Sequence, residues 1–207
     1  KEIILAQFRH ENNTTFADTW MQNLVPNVNN DKLKEFANPK LNDSFEGWIG
    51  TFPSVDLVND YEVRDTDGTA KDWNQSSFYK SWQQNGGYVS DAIYKNRDNR
   101  FYATVVQDSS HFFNSLVTMR AKGNMHWDSK AGGDWGMALN GYVYRKGIYT
   151  AKPLLNSDPT YYHYVVLRLG RSYLNYAEAM LRLGNISTAI EYINKTRTVH
   201  GGMPELP

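Results

Sequence analysis

The sequence contains no cysteine. That excludes disulfides, thiolate zinc sites and cysteine nucleophiles. No run of about 18 apolar residues occurs, so no segment reads as a membrane-spanning helix. Neither sign of charge is in excess, because 22 Lys and Arg face 22 Asp and Glu. A neutral balance offers no electrostatic footprint for a nucleic-acid backbone or an anionic membrane surface. Signatures of bond-breaking chemistry are also missing: there is no phosphate loop, nucleophile elbow or zinc motif. The histidines His10, His111, His126, His163 and His200 are scattered, with no His partner one helical turn away. No catalytic residue and no cofactor are expected. Lys1 leads directly into a strand-like run without the charged and apolar opening of a signal peptide. The chain reads as a piece of a longer protein.

What the sequence does have is aromatic side chains. They make up 14% of the 207 residues, with 6 Trp and 14 Tyr. Together with 41% hydrophobic residues, this is the composition of one globular domain with a core of its own.

Residues 1–8 predict a short strand with Ile3, Leu5 and Gln7 on one face. Residues 9–50 have no sustained period and read as irregular. Pro53 suits a first helical turn, so a helix is predicted over 53–62, its apolar side formed by Val55, Leu57, Val58 and Tyr61. Residues 64–99 are turn-rich. Residues 100–107 read as a strand that 115–120 can pair with. Residues 121–141 read as a long exposed loop, and 142–146 as another short strand.

The C-terminal region is more regular. Tyr173, Ala177, Met180, Leu181 and Gly184 share one helical face. Asn185 or Ser187 can cap a second helix whose stripe is Ile186, Ala189, Ile190 and Ile193, and Gly201-Gly202 can end it. This predicts a helical hairpin over 167–200. Ala177, Gly184 and Ala189 would let the helices approach, and Leu181, Leu183 and Ile193 would fill the gaps around them. Residues 181–197 follow the tetratricopeptide pattern, but one copy cannot bury both of its faces. Either further copies lie elsewhere or this is an ordinary hairpin. The segments read so far are this hairpin, one shorter helix, a few short strands and long irregular stretches.

Sugar rings present faces of C–H groups that flat aromatic rings can cover, while amides satisfy the surrounding hydroxyls. Trp73-Asn74-Gln75, Trp82 with Gln83 and Asn85, Trp127 and Trp135 supply both kinds of group in irregular sequence. Trp73, Asn74, Trp82, Trp127 and Trp135 are accordingly the candidate glycan contacts. The alternative is that these indoles pin loops to the body. Arg97, Asp98 and Arg100 predict an internal ion pair and turn caps, with a grip on an anionic sugar as the alternative. Asp65, Asp67 and Asp72 resemble the start of a calcium loop but lack its later ligands and its terminal Glu. The alternative there is a solvated turn. Asp56 and Asp60, one helical turn apart, are the only pair suggesting a glycoside hydrolase, which needs two carboxylates across a cleft. Such a pair is also the ordinary wet face of an amphipathic helix.

Four blocks decide between these readings. They are Gly47-Trp48 with Pro53-Ser54-x-Asp56-Leu57-Val58-x-x-Tyr61; Asn96-Arg97-Asp98-x-Arg100-Phe101-Tyr102-Ala103-Thr104-Val105; Gly141-Tyr142-Val143-Tyr144-Arg145-Lys146; and Leu167 through Ala179, continuing to Leu183-Gly184-Asn185 and Arg197. In this order they resemble the SusD/RagB family. Asn99 stands where the family usually has Pro, and Gly170-Arg171 where it has Ala-Glu. The resemblance covers 1–207 as a single region, with helical repeats and a C-terminal segment of the family expected beyond it. It implies a fold that is mainly α with long irregular segments and a few short strands, in which Trp48, part of a shared block, is structural. It also implies an outward-facing outer-membrane lipoprotein of Bacteroidetes that touches the membrane only through a lipid anchor outside these residues. It further implies a glycan ligand delivered to a SusC-like TonB-dependent transporter, with no nucleic-acid partner. A protein-interaction scaffold remains the third reading.

Overall fold

The computed structural model describes residues 2–9, 23–26, 47–88, 91–112, 115–127, 136–148 and 162–207. In chain order the regular elements are β1 (Ile3–Arg9), α1 (Val55–Asn59), β2 (Val63–Arg64), β3 (Ala70–Lys71), α2 (Ser77–Gln84), α3 (Asn99–Thr104), β4 (Val105–Val106), β5 (Ser110–Phe112), β6 (Ser115–Val117), β7 (Val143–Tyr144), β8 (Tyr162–Arg168), α4 (Leu169–Arg182) and α5 (Ile186–Arg197). Single 3-10 turns occupy Trp73–Gln75 and Asp91–Tyr94. Helices dominate, and among the described residues the strands pair only two by two. This is the expected class.

Local capping explains where the elements differ from the sequence reading. The helix predicted over 53–62 covers only α1, because Ser54 rather than Pro53 opens it. The Ser54 hydroxyl accepts the N–H of Leu57 at 3.1 Å. The strand predicted over 100–107 is mostly the helix α3. Asp98 accepts the N–H of Arg100 at 2.8 Å, and this cap overrides the β preference of Phe101 and Tyr102. Only Val105 and Val106 remain extended, and they pair with Tyr144 and Val143. Residues 115–117 pair with 110–112 instead of with this segment. The helix α2 lies inside the stretch read as turns.

The predicted first strand is present as β1, and its antiparallel partner is β8, with Ala6 opposite Val165 and Leu5 opposite Leu167. The chain then turns directly into α4, where the N–H of Leu169 donates to the carbonyl of Glu2 at 2.7 Å. The helical hairpin therefore starts at Leu169 rather than at 167. Its turn is as predicted: Gly184 has φ +79° and Asn185 accepts the N–H of Thr188 at 3.3 Å. Ala177 and Ala189, each 2% exposed, are the buried small residues of its two helices. Leu181 and Leu183 do not fill gaps around these; they are 55% and 76% exposed on the outer face. Contacts that fix the crossing come instead from Tyr192, whose ring meets Tyr173 at 5.6 Å and Tyr176 at 4.6 Å.

The main core gathers Val25, Ile49, Val106, Phe112, Val117 and Val143 with Met119, Met125 and Met137. A second cluster holds Val58, Phe101 and Val105 under a rim of tyrosines, Tyr61, Tyr94, Tyr102 and Tyr142. Charge threads between them. Buried Arg97 donates from its two terminal nitrogens to the carbonyls of Ile93 and Val58, which offsets part of the cost of burying it. Asp98 binds the Arg100 guanidinium, the internal ion pair expected from sequence. Arg197 pairs with Glu62 and ties the hairpin to the body. At that junction the N–H of Asn99 donates to the carbonyl of Gly201 at 2.8 Å. A Cβ on Gly201 would lie 2.5 Å from the carbonyl oxygen of Arg197 and 3.0 Å from Asp98, so only glycine fits. Helix α5 itself ends earlier than Gly201, at Arg197.

Candidate aromatic site

The site is built on α2, and α2 is held at both ends. At its start the Ser76 hydroxyl accepts the N–H of Tyr79 at 3.1 Å. The N–H of Ser77 donates to both Asp65 oxygens, at 3.1 and 3.0 Å, and the Ser77 hydroxyl donates to the same carboxylate. Asp65 is thus an anion at a helix N-terminus, the favourable end of the dipole. Lys71 bridges it to Asp67, at 2.8 and 2.6 Å. Burial alone would raise the Asp65 carboxyl, but the Lys71 ammonium and Ser77 outweigh it and hold it well below the usual range. Lys71 and Thr69 together hold Asp67 at about 2. The cation between Asp65 and Asp67 is therefore a lysine, and Asp72 lies outside this pair, at the start of the Trp73 turn. Among the described residues no group of three or more His, Asp or Glu is placed to hold a metal.

At the far end of α2, Gly86 and Gly87 adopt φ +89° and +69° and reverse the chain. The reversal brings Tyr88 back beside Trp82, whose Nε1–H donates to the Tyr88 carbonyl at 2.8 Å. A Cβ on Gly87 would sit 3.6 Å from the Trp82 ring, and one on Gly86 only 2.8 Å from the Tyr88 ring. The glycine pair lets the Tyr88 backbone return to the Trp82 indole.

Two more rings complete the cluster. Tyr79 and Trp82, three positions apart on α2, have centroids 5.6 Å apart. Trp73 meets Tyr79 edge-on at 5.5 Å and Trp82 at 6.2 Å. Beneath Trp73 lies the Arg97 guanidinium, 5.2 Å from the Trp73 centroid and 5.1 Å from that of Phe101. Burial lowers the Arg97 pKa to about 10. The layers run from a buried cation, through Trp73 (7% exposed), to half-buried Tyr79 and Trp82 and then to Tyr88 (78% exposed). Asn74, Gln83 and Asn85 are exposed around the rim, where Gln83 Nε2 donates to the Tyr79 hydroxyl at 3.0 Å.

The structure thus brings together Trp73, Asn74 and Trp82 of the predicted contacts. Trp73 is the floor of the cluster rather than its surface, and Trp82 stands on a helix rather than a loop. Trp127 lies elsewhere, half-buried against the main core and lining a separate cleft of about 240 Å³ with Tyr94, Leu139 and Tyr142. Trp135 lies outside the described residues. Tyr79 and Tyr88 were missed. Their signal was the Tyr79–Trp82 helical spacing behind Ser76, and the Gly86-Gly87 pair just before Tyr88. Trp48, read as structural, is 49% exposed. Asp56 and Asp60 are both exposed, and Asp60 lines a cleft of about 350 Å³ without Asp56. The other two carboxylates of that cleft, Glu62 and Asp98, are each held by an arginine.

Comparison with known proteins agrees with the fold. The model of the SusD family matches residues 1–202. A SusD-like protein from Bacteroides fragilis superposes with TM-score 0.66 at 25% identity, covering all of this chain and 37% of that one. A SusD-like carbohydrate-binding protein from the same species superposes with TM-score 0.57 at 20% identity, covering 78% of this chain and 30% of that one. The chain therefore spans about a third of the length of these solved relatives. The sequence matches no curated protein.

Proposed function

Since the chain belongs to the SusD family, we propose that it captures a glycan without cutting it, using the shelf formed by Tyr79, Trp82 and Tyr88. The observation that carries this is the half-exposed Trp82 ring. It is braced from below by Trp73, locked by its bond to Tyr88, and rimmed by amide side chains. A pre-positioned ring loses little freedom on binding, so the apolar face of a pyranose gains contact at low entropic cost. Amides on the rim take the ring hydroxyls. In the whole protein the captured glycan passes to a SusC-like TonB-dependent transporter at the outward face of the outer membrane, where a lipid anchor outside these residues holds the complex. What supports that part is family membership alone. No helix among the described residues is long and apolar enough to cross a membrane.

The hydrolase alternative has less support, because Asp56 and Asp60 do not face each other across a cleft. Incubation of the chain with a panel of polysaccharides tests the proposal. Retardation in an affinity gel, with no release of reducing sugar, is the expected result. Release of reducing ends that scales with protein concentration would replace capture by hydrolysis.

A further inference from the structure

A second cleft, of about 530 Å³, opens where β8 runs into α4. Its volume lies within the roughly 300–1,000 Å³ typical of sites for small ligands. Its charge is one-sided: Arg100, Lys146, Arg168 and Arg171 line it, against one carboxylate, Glu2. Arg100 is already paired with Asp98. Glu2 contacts His200 at 3.0 Å. Among the described residues, Lys146, Arg168 and Arg171 form no ion pair. Partial desolvation by the cleft walls lowers the pKa of the solvent-accessible Lys146, Arg168 and Arg100 add to that shift, and Glu2 opposes it. This excess is local, because the chain as a whole is neutral.

The backbone adds to the field. Gly170 and Arg171, in the first turn of α4, line the same cleft. That helix is 14 residues long, and its N-cap residue Arg168 makes no side-chain cap. Beyond the Leu169 N–H, which the Glu2 carbonyl accepts, no side-chain oxygen caps the positive end of its dipole. Guanidinium groups bind oxyanions through paired parallel hydrogen bonds. Val165 and Leu174 supply an apolar wall beside the cations.

We propose that this cleft holds the carboxylate or sulfate of an acidic sugar residue. The saccharide part rests on the glycan-capture reading above; the anion part rests on the cleft alone. A compact cleft with an apolar wall suits one charged ring better than an extended acidic peptide.

The test uses the full chain and titration calorimetry at about 50 mM salt. The probes are an oligogalacturonate, its fully methyl-esterified form, a chondroitin sulfate tetrasaccharide with its desulfated form, and poly-glutamate. At least one acidic saccharide should bind about ten-fold more tightly than its neutralised form, and added salt should erode the difference. Lys146→Ala with Arg171→Ala should abolish the preference. Both side chains are exposed, so the fold should survive, which circular dichroism checks; Lys146→Met with Arg171→Gln is the milder second pair. Trp82→Ala should leave the preference intact while weakening neutral glycans. The proposal is overturned if no acidic saccharide is preferred, if the preference survives both double variants, or if poly-glutamate binds as tightly as the saccharides. Neutral binding without acid preference overturns this proposal only, whereas absence of all glycan binding overturns the capture reading as well.

Discussion

The N–H of Ser77 donates to both oxygens of Asp65, at 3.1 and 3.0 Å. Twelve residues apart in sequence, the two groups join a tight turn to the first residue of the helix that carries Trp82. The turn with the look of a calcium loop thereby serves as the mooring of the aromatic shelf. Asp65→Ala would leave the start of α2 and Lys71 without their anion. We expect a loss of about 2–3 kcal/mol in unfolding free energy, measured by urea denaturation. Glycan affinity should fall with it even though Asp65 touches no ligand.

Acid should loosen the same mooring. Asp65 and Asp67 are both held below the usual carboxylate range in the folded chain. A carboxylate with a depressed folded pKa contributes stability above its unfolded value, near pH 4, and loses it as pH falls. The loss from Asp67 should run from about pH 4 to about pH 2. Urea midpoints across that range should fall less steeply for Asp67→Asn than for the parent chain. Parallel slopes would show that the Lys71 contacts are not maintained in solution.

Gly86 tests the geometry of the shelf. Its φ of +89° belongs to glycine, and a Cβ there would lie 2.8 Å from the Tyr88 ring. Gly86→Ala should cost roughly 1–2 kcal/mol in backbone strain and push Tyr88 away from Trp82. Loss of affinity beyond the loss of stability, measured well below the unfolding transition, is the expected signature.

Gly201 tests how the hairpin is attached. A Cβ there meets the Arg197 carbonyl and the Asp98 carboxylate, so Gly201→Ala should separate α5 from α3. Crowding a packed junction costs about 1–3 kcal/mol. Thermal unfolding should shift accordingly, while glycan binding at Trp82 changes little.

The hairpin was legible in the sequence because its signals are local: the spacing from Tyr173 to Gly184, the Asn185 cap and the Gly184 turn all lie within one another's reach. Helix α2 was hidden because it is eight residues long and flanked by Ser, Asn and Gly, which read as turn. The segment at Phe101 misled in the opposite direction, since its β-favouring residues are overruled by a single cap from Asp98. Trp73 and Trp82 are both among the candidate contacts in the sequence, but their pairing, and which is floor and which is surface, depends on Arg97, brought in from another segment. No local pattern reports that. Nor does composition show that Lys71 stands between Asp65 and Asp67. Exposure of Leu181 and Leu183 likewise follows from what packs on the hairpin, a property of the assembled chain rather than of residues 167–200.

Calorimetry of Trp82→Ala against the best-bound neutral oligosaccharide tests glycan capture most directly. Removing the central ring of the shelf should weaken binding by about ten-fold or more, equivalent to ~1.4 kcal/mol, with an unchanged melting profile. An affinity equal to that of the parent chain would place the glycan elsewhere on the molecule and contradict the account.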